Sequence, residues 1–136
     1  MNTQTTTSEY MLLFRGTHWD KGLSPEEIQK VMSRWAAWME RLTQQGKIRD
    51  AHPLDRHEGK IVSWKKGRRV ADGPFAESKE AIGGYFLLRV PNLEEAVEIA
   101  KQCPALEHGL DVEVRPIVAE CPPYQRAKES LAHTTA

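Results

Sequence analysis

The sequence predicts one α+β domain of βαββαβ plan, with a β-hairpin inserted between its second and third core strands and a mostly antiparallel sheet. Three observations carry this. Two short, almost continuously apolar runs, residues 10–15 and 85–90, read as central strands with both faces covered. Each is followed by a stretch with apolar residues at helical spacing. The chain then closes on an alternating charged and apolar run, 111–118, that reads as the last strand.

At 136 residues the chain is long enough to bury a real core without disulfides or metal. Residues 1–9 are Thr-rich and polar, so the domain is expected to span 10–118, between this disordered tail and a C-terminal extension, 119–136. Ser24-Pro25-Glu26-Glu27 is a helix start: Ser24 can cap, Pro25 suits the first helical position, and Glu27 can complete a capping box. Ile28, Val31, Trp35, Trp38, Met39 and Leu42 then form one apolar face on a helix ending near Gly46. The two tryptophans can make an aromatic ligand platform, but an amphipathic core helix explains them with fewer assumptions.

Residues 48–52 read as the second strand, stopped by Pro53. His52, Asp55, His57 and Glu58 follow no zinc spacing and read as a polar loop, so no metal and no cofactor are expected. Residues 61–65 and 68–71 flank Lys66-Gly67, a hairpin signal. After the 85–90 strand, Asn92 with Glu95 three residues on starts a helix with the face Leu93, Ala96, Val97 and Ala100, closed by Pro104. His108 falls in the loop 105–109. Pro122-Pro123 is expected to break the chain ahead of a weak peripheral helix over 124–133.

The stretch 72–86, DGPFAESKEAIGGYF, organises the rest. Gly73 can take φ > 0, Pro74 fixes its own φ, and Asp72 can hydrogen-bond the backbone two residues on. A polar run with Glu77 and Lys79 follows. Gly83 and Gly84 lack side chains where another backbone or a ligand can come close. The segment is either a well-made turn or the rigid lip of a cleft.

DGPFAESKE and IGGYFLL, with CPALEHG and VEVRPI further on, resemble the DGPF subgroup of the YCII-related proteins over roughly residues 10–118. The resemblance implies a ferredoxin-like fold in the dimeric α/β-barrel superfamily, with a poorly defined biochemical role and, in some relatives, an association with sigma factors. It also brings a histidine and an aspartate suspected as a catalytic pair. Their positions fall near Trp35 and Cys103 here, and neither residue can replace its counterpart, so the pair is not carried over.

Strand alternation puts Leu12, Phe14, Phe86, Leu88, Val90, Val112 and Val114 on the helix side of the sheet. Met11, Leu13, Tyr85, Leu87 and Ile117 fall on the other face, too apolar for water, which predicts a homodimer through it. Arg15, Arg89, Arg115 and Glu113 share that face. They can bind a small carboxylate or phosphate, or form ion pairs at a subunit interface.

Two functions follow. One is a small-molecule enzyme or binding protein with an anion-preferring cleft, ligand groups Arg15, Asp72, Glu77, Lys79, Arg89, His108 and Arg115, and catalytic candidates Asp72 and His108. The other is a non-catalytic regulatory or interaction module. Balanced charge, 19 basic against 19 acidic residues, favours neither nucleic acid nor an anionic membrane, and no apolar run reaches the roughly 20 residues a span needs. Two cysteines and no charged-then-apolar leader point to a reduced, cytoplasmic setting.

Overall fold

The computed structural model describes residues 7–64, 67, 69–73 and 81–134. Strands β1 (Ser8–Arg15), β2 (Ile48–Pro53), β5 (Ile82–Val90) and β6 (Asp111–Pro116) form a four-stranded antiparallel sheet in the order β2-β5-β1-β6. Strands β3 (Lys60–Ser63) and β4 (Arg69–Asp72) pair with each other in a separate two-stranded sheet, as the inserted hairpin. Helices α1 (Pro25–Gln44) and α2 (Leu93–Ala100) follow β1 and β5, and α3 (Pro122–Thr134) ends the chain. The first strand lies between the third and fourth core strands, so the domain is ferredoxin-like.

The local signals work as their chemistry requires. The Ser24 backbone N–H donates to Glu27 Oε1 at 2.9 Å and the Glu27 N–H donates to Ser24 Oγ at 3.1 Å, a closed capping box that holds the Glu27 carboxyl below its usual range. Asn92 Oδ1 accepts from the Glu95 N–H at 2.9 Å at the start of α2. The core lies between these helices and one sheet face, where Leu12 and Leu88 are 0 % exposed. Full burial of such a side chain is worth roughly 1.5–3 kcal/mol.

Four expectations need adjusting. β1 starts at Ser8, before the apolar run, because Ser8 and Glu9 pair with Val90 and Arg89 along the ladder, which polar side chains do not prevent. The inner face of α2 is Ala96, Ile99 and Ala100, while Leu93 is exposed. Pro53 is the last residue of β2 rather than the one that stops it. Pro122 and Pro123 open α3 instead of breaking the chain, since proline fits the first helical turn, where N–H groups have no intrahelical acceptor.

Gly73 has φ +138°, in the positive range that the sequence reading allowed it, and its N–H donates to the Gly59 carbonyl at 3.2 Å. Pro74, Glu77 and Lys79 lie outside the described residues, as does the Asp72 side chain.

Candidate functional site

A pocket of about 380 Å³ opens between α1 and the β2–β5 side of the sheet. Met32, Trp35 and Met39 come from one face of α1, and Phe14 and Phe86 rise from the helix side of the sheet. Trp19 closes the wall from the loop after β1, and Leu54 and Arg56 from the loop after β2. Phe14 packs against Trp35 with ring centroids 4.8 Å apart and against Phe86 at 4.9 Å, so the aromatic lining is continuous with the core.

Gly84 lines the pocket on the same sheet face as Phe86. A Cβ there would meet the His52 carbonyl oxygen at 2.9 Å and Pro53 Cα at 3.2 Å. The expected close approach at the glycine pair is thus an approach of β2 to β5, and it forms one wall of the pocket.

Arg56 is the one permanently charged residue among those described around the pocket. Its Nη1 and Nη2 donate to Asp20 Oδ2 and Oδ1 at 3.2 and 2.8 Å, a fork joining two loops at the pocket rim. That bond holds the Asp20 carboxyl below its usual range, against partial burial, with a smaller contribution from His18. Arg56 does not stand out in the sequence, whereas Asp20 sits with His18 and Trp19 in the loop after the first strand, a loop that the sequence marks as able to line a cleft; the two partners are 36 residues apart.

Of the residues expected to bind an anion, Arg15, Arg89, Arg115 and His108 are described, and none is in the pocket lining. Arg15 and Arg115 both donate to Glu113, at 3.3 and 3.2 Å, so one carboxylate bridges two arginines. Arg89 pairs with Glu9 across the ladder, six positions along β1 from Arg15 and hence about 20 Å away. The three therefore share a face, as strand alternation requires, but not one spot. His108 is half-buried in a 3-10 turn (Leu106–His108), with its ring 6.3 Å from that of Trp19 and Nε2 3.7 Å from Glu107 Oε1.

On the open sheet face, Tyr85 Oη donates to Asp50 Oδ2 at 3.0 Å, and His52 Nε2 lies 2.9 Å from Asp50 Oδ1. The Tyr85 bond pulls the Asp50 carboxyl down and pushes the Tyr85 hydroxyl up. Asp55 Oδ1 accepts from the N–H groups of His57 and Glu58 at 2.7 and 2.8 Å, so it serves the turn. Among the described residues no three His, Cys, Asp or Glu side chains gather as metal ligands, and no helix is long and apolar enough to cross a membrane.

Trp35, where the resemblance places a histidine, is part of the pocket wall. Cys103, near the aspartate position, is buried, and desolvation pushes its thiol up to about 11. It stays a neutral thiol at physiological pH, unsuited to acid–base or nucleophilic work. Cys121 is free and exposed.

No curated protein matches the chain. A family model for the YCII-related domain matches residues 9–127, from β1 into α3, and the chain belongs to that family.

Proposed function

We propose that the protein is a small-molecule-binding domain whose ligand is a compact, rigid, mainly apolar compound seated in the α1–sheet pocket. The carrying observation is the pocket itself: about 380 Å³, walled by Phe14, Trp19, Trp35, Phe86 and two methionines. That volume and lining fall within the usual range for small-molecule sites, and polarisable methionine sulfur packs well against rings.

Trp19 and Trp35 make binding visible as a change in indole fluorescence. The neutral two-ring aromatic 2-naphthamide is expected to give a saturable response with the parent and to bind at least about tenfold more weakly to Ala51→Trp, which fills the pocket from β2. A linear response, or equal affinity in the filled variant, overturns the reading.

We also propose that the protein belongs to the DGPF subgroup and works as a homodimer of the α/β-barrel kind, two open sheet faces packed together. Met11, Leu13 and Leu87 make that face apolar at its centre, while the Arg15–Glu113–Arg115 and Arg49–Glu9 ion pairs edge it. An apolar centre with a polar rim is the anatomy of a protein interface, and it makes the strand arginines rim pairs rather than an anion site. Sedimentation equilibrium at micromolar concentration should give a dimer for the parent and a monomer for Leu13→Asp. A monomeric parent rules the dimer out.

A second reading, a regulatory or interaction module linked to sigma-factor-dependent transcription, draws on the β3–β4 hairpin, which exposes Ile61, Val62, Trp64 and Val70. Failure of the naphthamide titration favours it.

A further inference from the structure

Arg56, the one permanently charged residue among those described around the pocket, bears on the charge of its ligand. We propose that the site selects an aromatic carboxylate, whose carboxylate takes over the Arg56 fork that Asp20 holds in this structure. This rests on the reading of the pocket as a small-molecule site and goes one step beyond it, to the chemical class.

The fork already accommodates a carboxylate. Both terminal nitrogens of Arg56 donate to the two oxygens of Asp20, the planar two-bond arrangement that guanidinium offers and ammonium does not. The pair sits where exchange is feasible: Arg56 is itself part of the pocket lining, and Trp19, the residue before Asp20, is another part of it. A molecule whose ring fills the aromatic wall carries its substituent toward the rim where Arg56 stands.

Charge accounting favours like for like. The Arg56 and Asp20 side chains are 37 % and 26 % exposed, so each is partly desolvated and neither is well left without a partner. A neutral ligand leaves the pair intact and gains nothing from Arg56. A cation that took Asp20 would leave the Arg56 guanidinium without its partner. A carboxylate keeps the Arg56 donors bonded and releases Asp20, whose side chain is already 26 % exposed, toward solvent. The apolar surroundings strengthen the new bond relative to one in water.

Among the described residues no other group around the pocket can play this part. Arg15, Arg89, Arg115 and His108 are not in its lining, and the imidazole of His52, which is, pairs with Asp50 on the other side of the sheet. Asp20 is thus an internal competitor for the ligand's head group, which makes the effect of removing it opposite in sign to that of removing Arg56.

The test compares 2-naphthoate with 2-naphthamide, equal in shape but different in charge at neutral pH, on the parent, Arg56→Met and Asp20→Asn, with melting curves to establish that each variant is folded. The parent is expected to bind naphthoate about tenfold or more tightly than naphthamide. Arg56→Met should abolish that preference while still binding naphthamide. Asp20→Asn should bind naphthoate several-fold more tightly than the parent does. If naphthamide binds the parent as well as naphthoate, or if Asp20→Asn weakens naphthoate as Arg56→Met does, the pair is a structural strap and the carboxylate assignment is wrong. If neither compound binds the parent, the small-molecule reading itself fails.

Discussion

Trp38→Ala is expected to lower the unfolding free energy by about 3–5 kcal/mol, the usual range for truncating a buried large aromatic. Trp38 is 1 % exposed and is ringed by Phe14, Trp35 and Phe86 at centroid distances of 6.2, 5.5 and 5.0 Å. Its loss removes the hub through which α1 grips β1 and β5, and Phe14 and Phe86, set in the β1–β5 ladder, limit how far the shell can close over the gap. The comparison with Trp38→Phe separates packing from polarity. Trp38 Nε1 is buried and has no hydrogen-bond partner among the described residues. An unpaired buried donor costs about 1–3 kcal/mol, so phenylalanine, which removes it, offsets part of the lost packing. The Phe variant is expected to lose less than about 2 kcal/mol in urea titration. Equal losses for Ala and Phe would mean that the indole N–H is satisfied in solution and that its removal gives nothing back.

The same tryptophans show what sequence can and cannot convey. Helical spacing put Trp35 and Trp38 on one face, and both point at the core, as an amphipathic helix demands. The difference between them, Trp38 sealed and Trp35 forming part of a cavity wall, depends on what faces each across the interior. That is set by Gly84 and by the path of β2, neither of which periodicity along α1 can see. Caps were legible because they are contacts over three residues, such as Ser24 with Glu27 and Asn92 with Glu95. The inner face of α2 was read correctly at Ala96 and Ala100, whereas Ile99 was missed and the exposed Leu93 included, because eight residues give barely two turns, too few to fix the edge of the stripe.

Strand alternation likewise identified a face but not a place on it. Arg15, Arg89 and Arg115 do lie on the open face, and only the register of β1 against β5 and β6 reveals that Arg89 stands far from Arg15, which Glu113 ties to Arg115. The pairing of Asp20 with Arg56 was hidden for a different reason. Each is an ordinary loop residue, and the ion pair is created by the fold bringing two loops to one rim. Gly73 shows the reverse case: the freedom to take a positive φ is a property of glycine itself, legible at one position, and the residue uses it.

Gly84→Ala is expected to destabilise the protein by about 1–3 kcal/mol, and by clearly more than Gly83→Ala, although the two glycines are adjacent in one strand. At Gly84 an added Cβ falls 2.9 Å from the His52 carbonyl oxygen and 3.2 Å from Pro53 Cα. Both are backbone atoms of β2, fixed by the β2–β5 ladder and by the Leu54 N–H bonding the Gly83 carbonyl at 2.9 Å, so the clash is relieved only by moving a strand. At Gly83 the nearest atom is the Thr17 Cγ2 methyl at 3.2 Å, a side-chain contact that yields by a few tenths of an ångström. The functional consequence follows the same geometry. Pushing β2 away displaces Ala51 and the loop carrying Arg56, so Gly84→Ala should also weaken naphthamide binding, with Gly83→Ala retaining most of it. Urea titration and fluorescence titration of the two variants side by side check both halves. Equal stability loss at both positions would mean that β2 gives as easily as a threonine methyl, and that the pocket is not held open by the approach of β2 to Gly84.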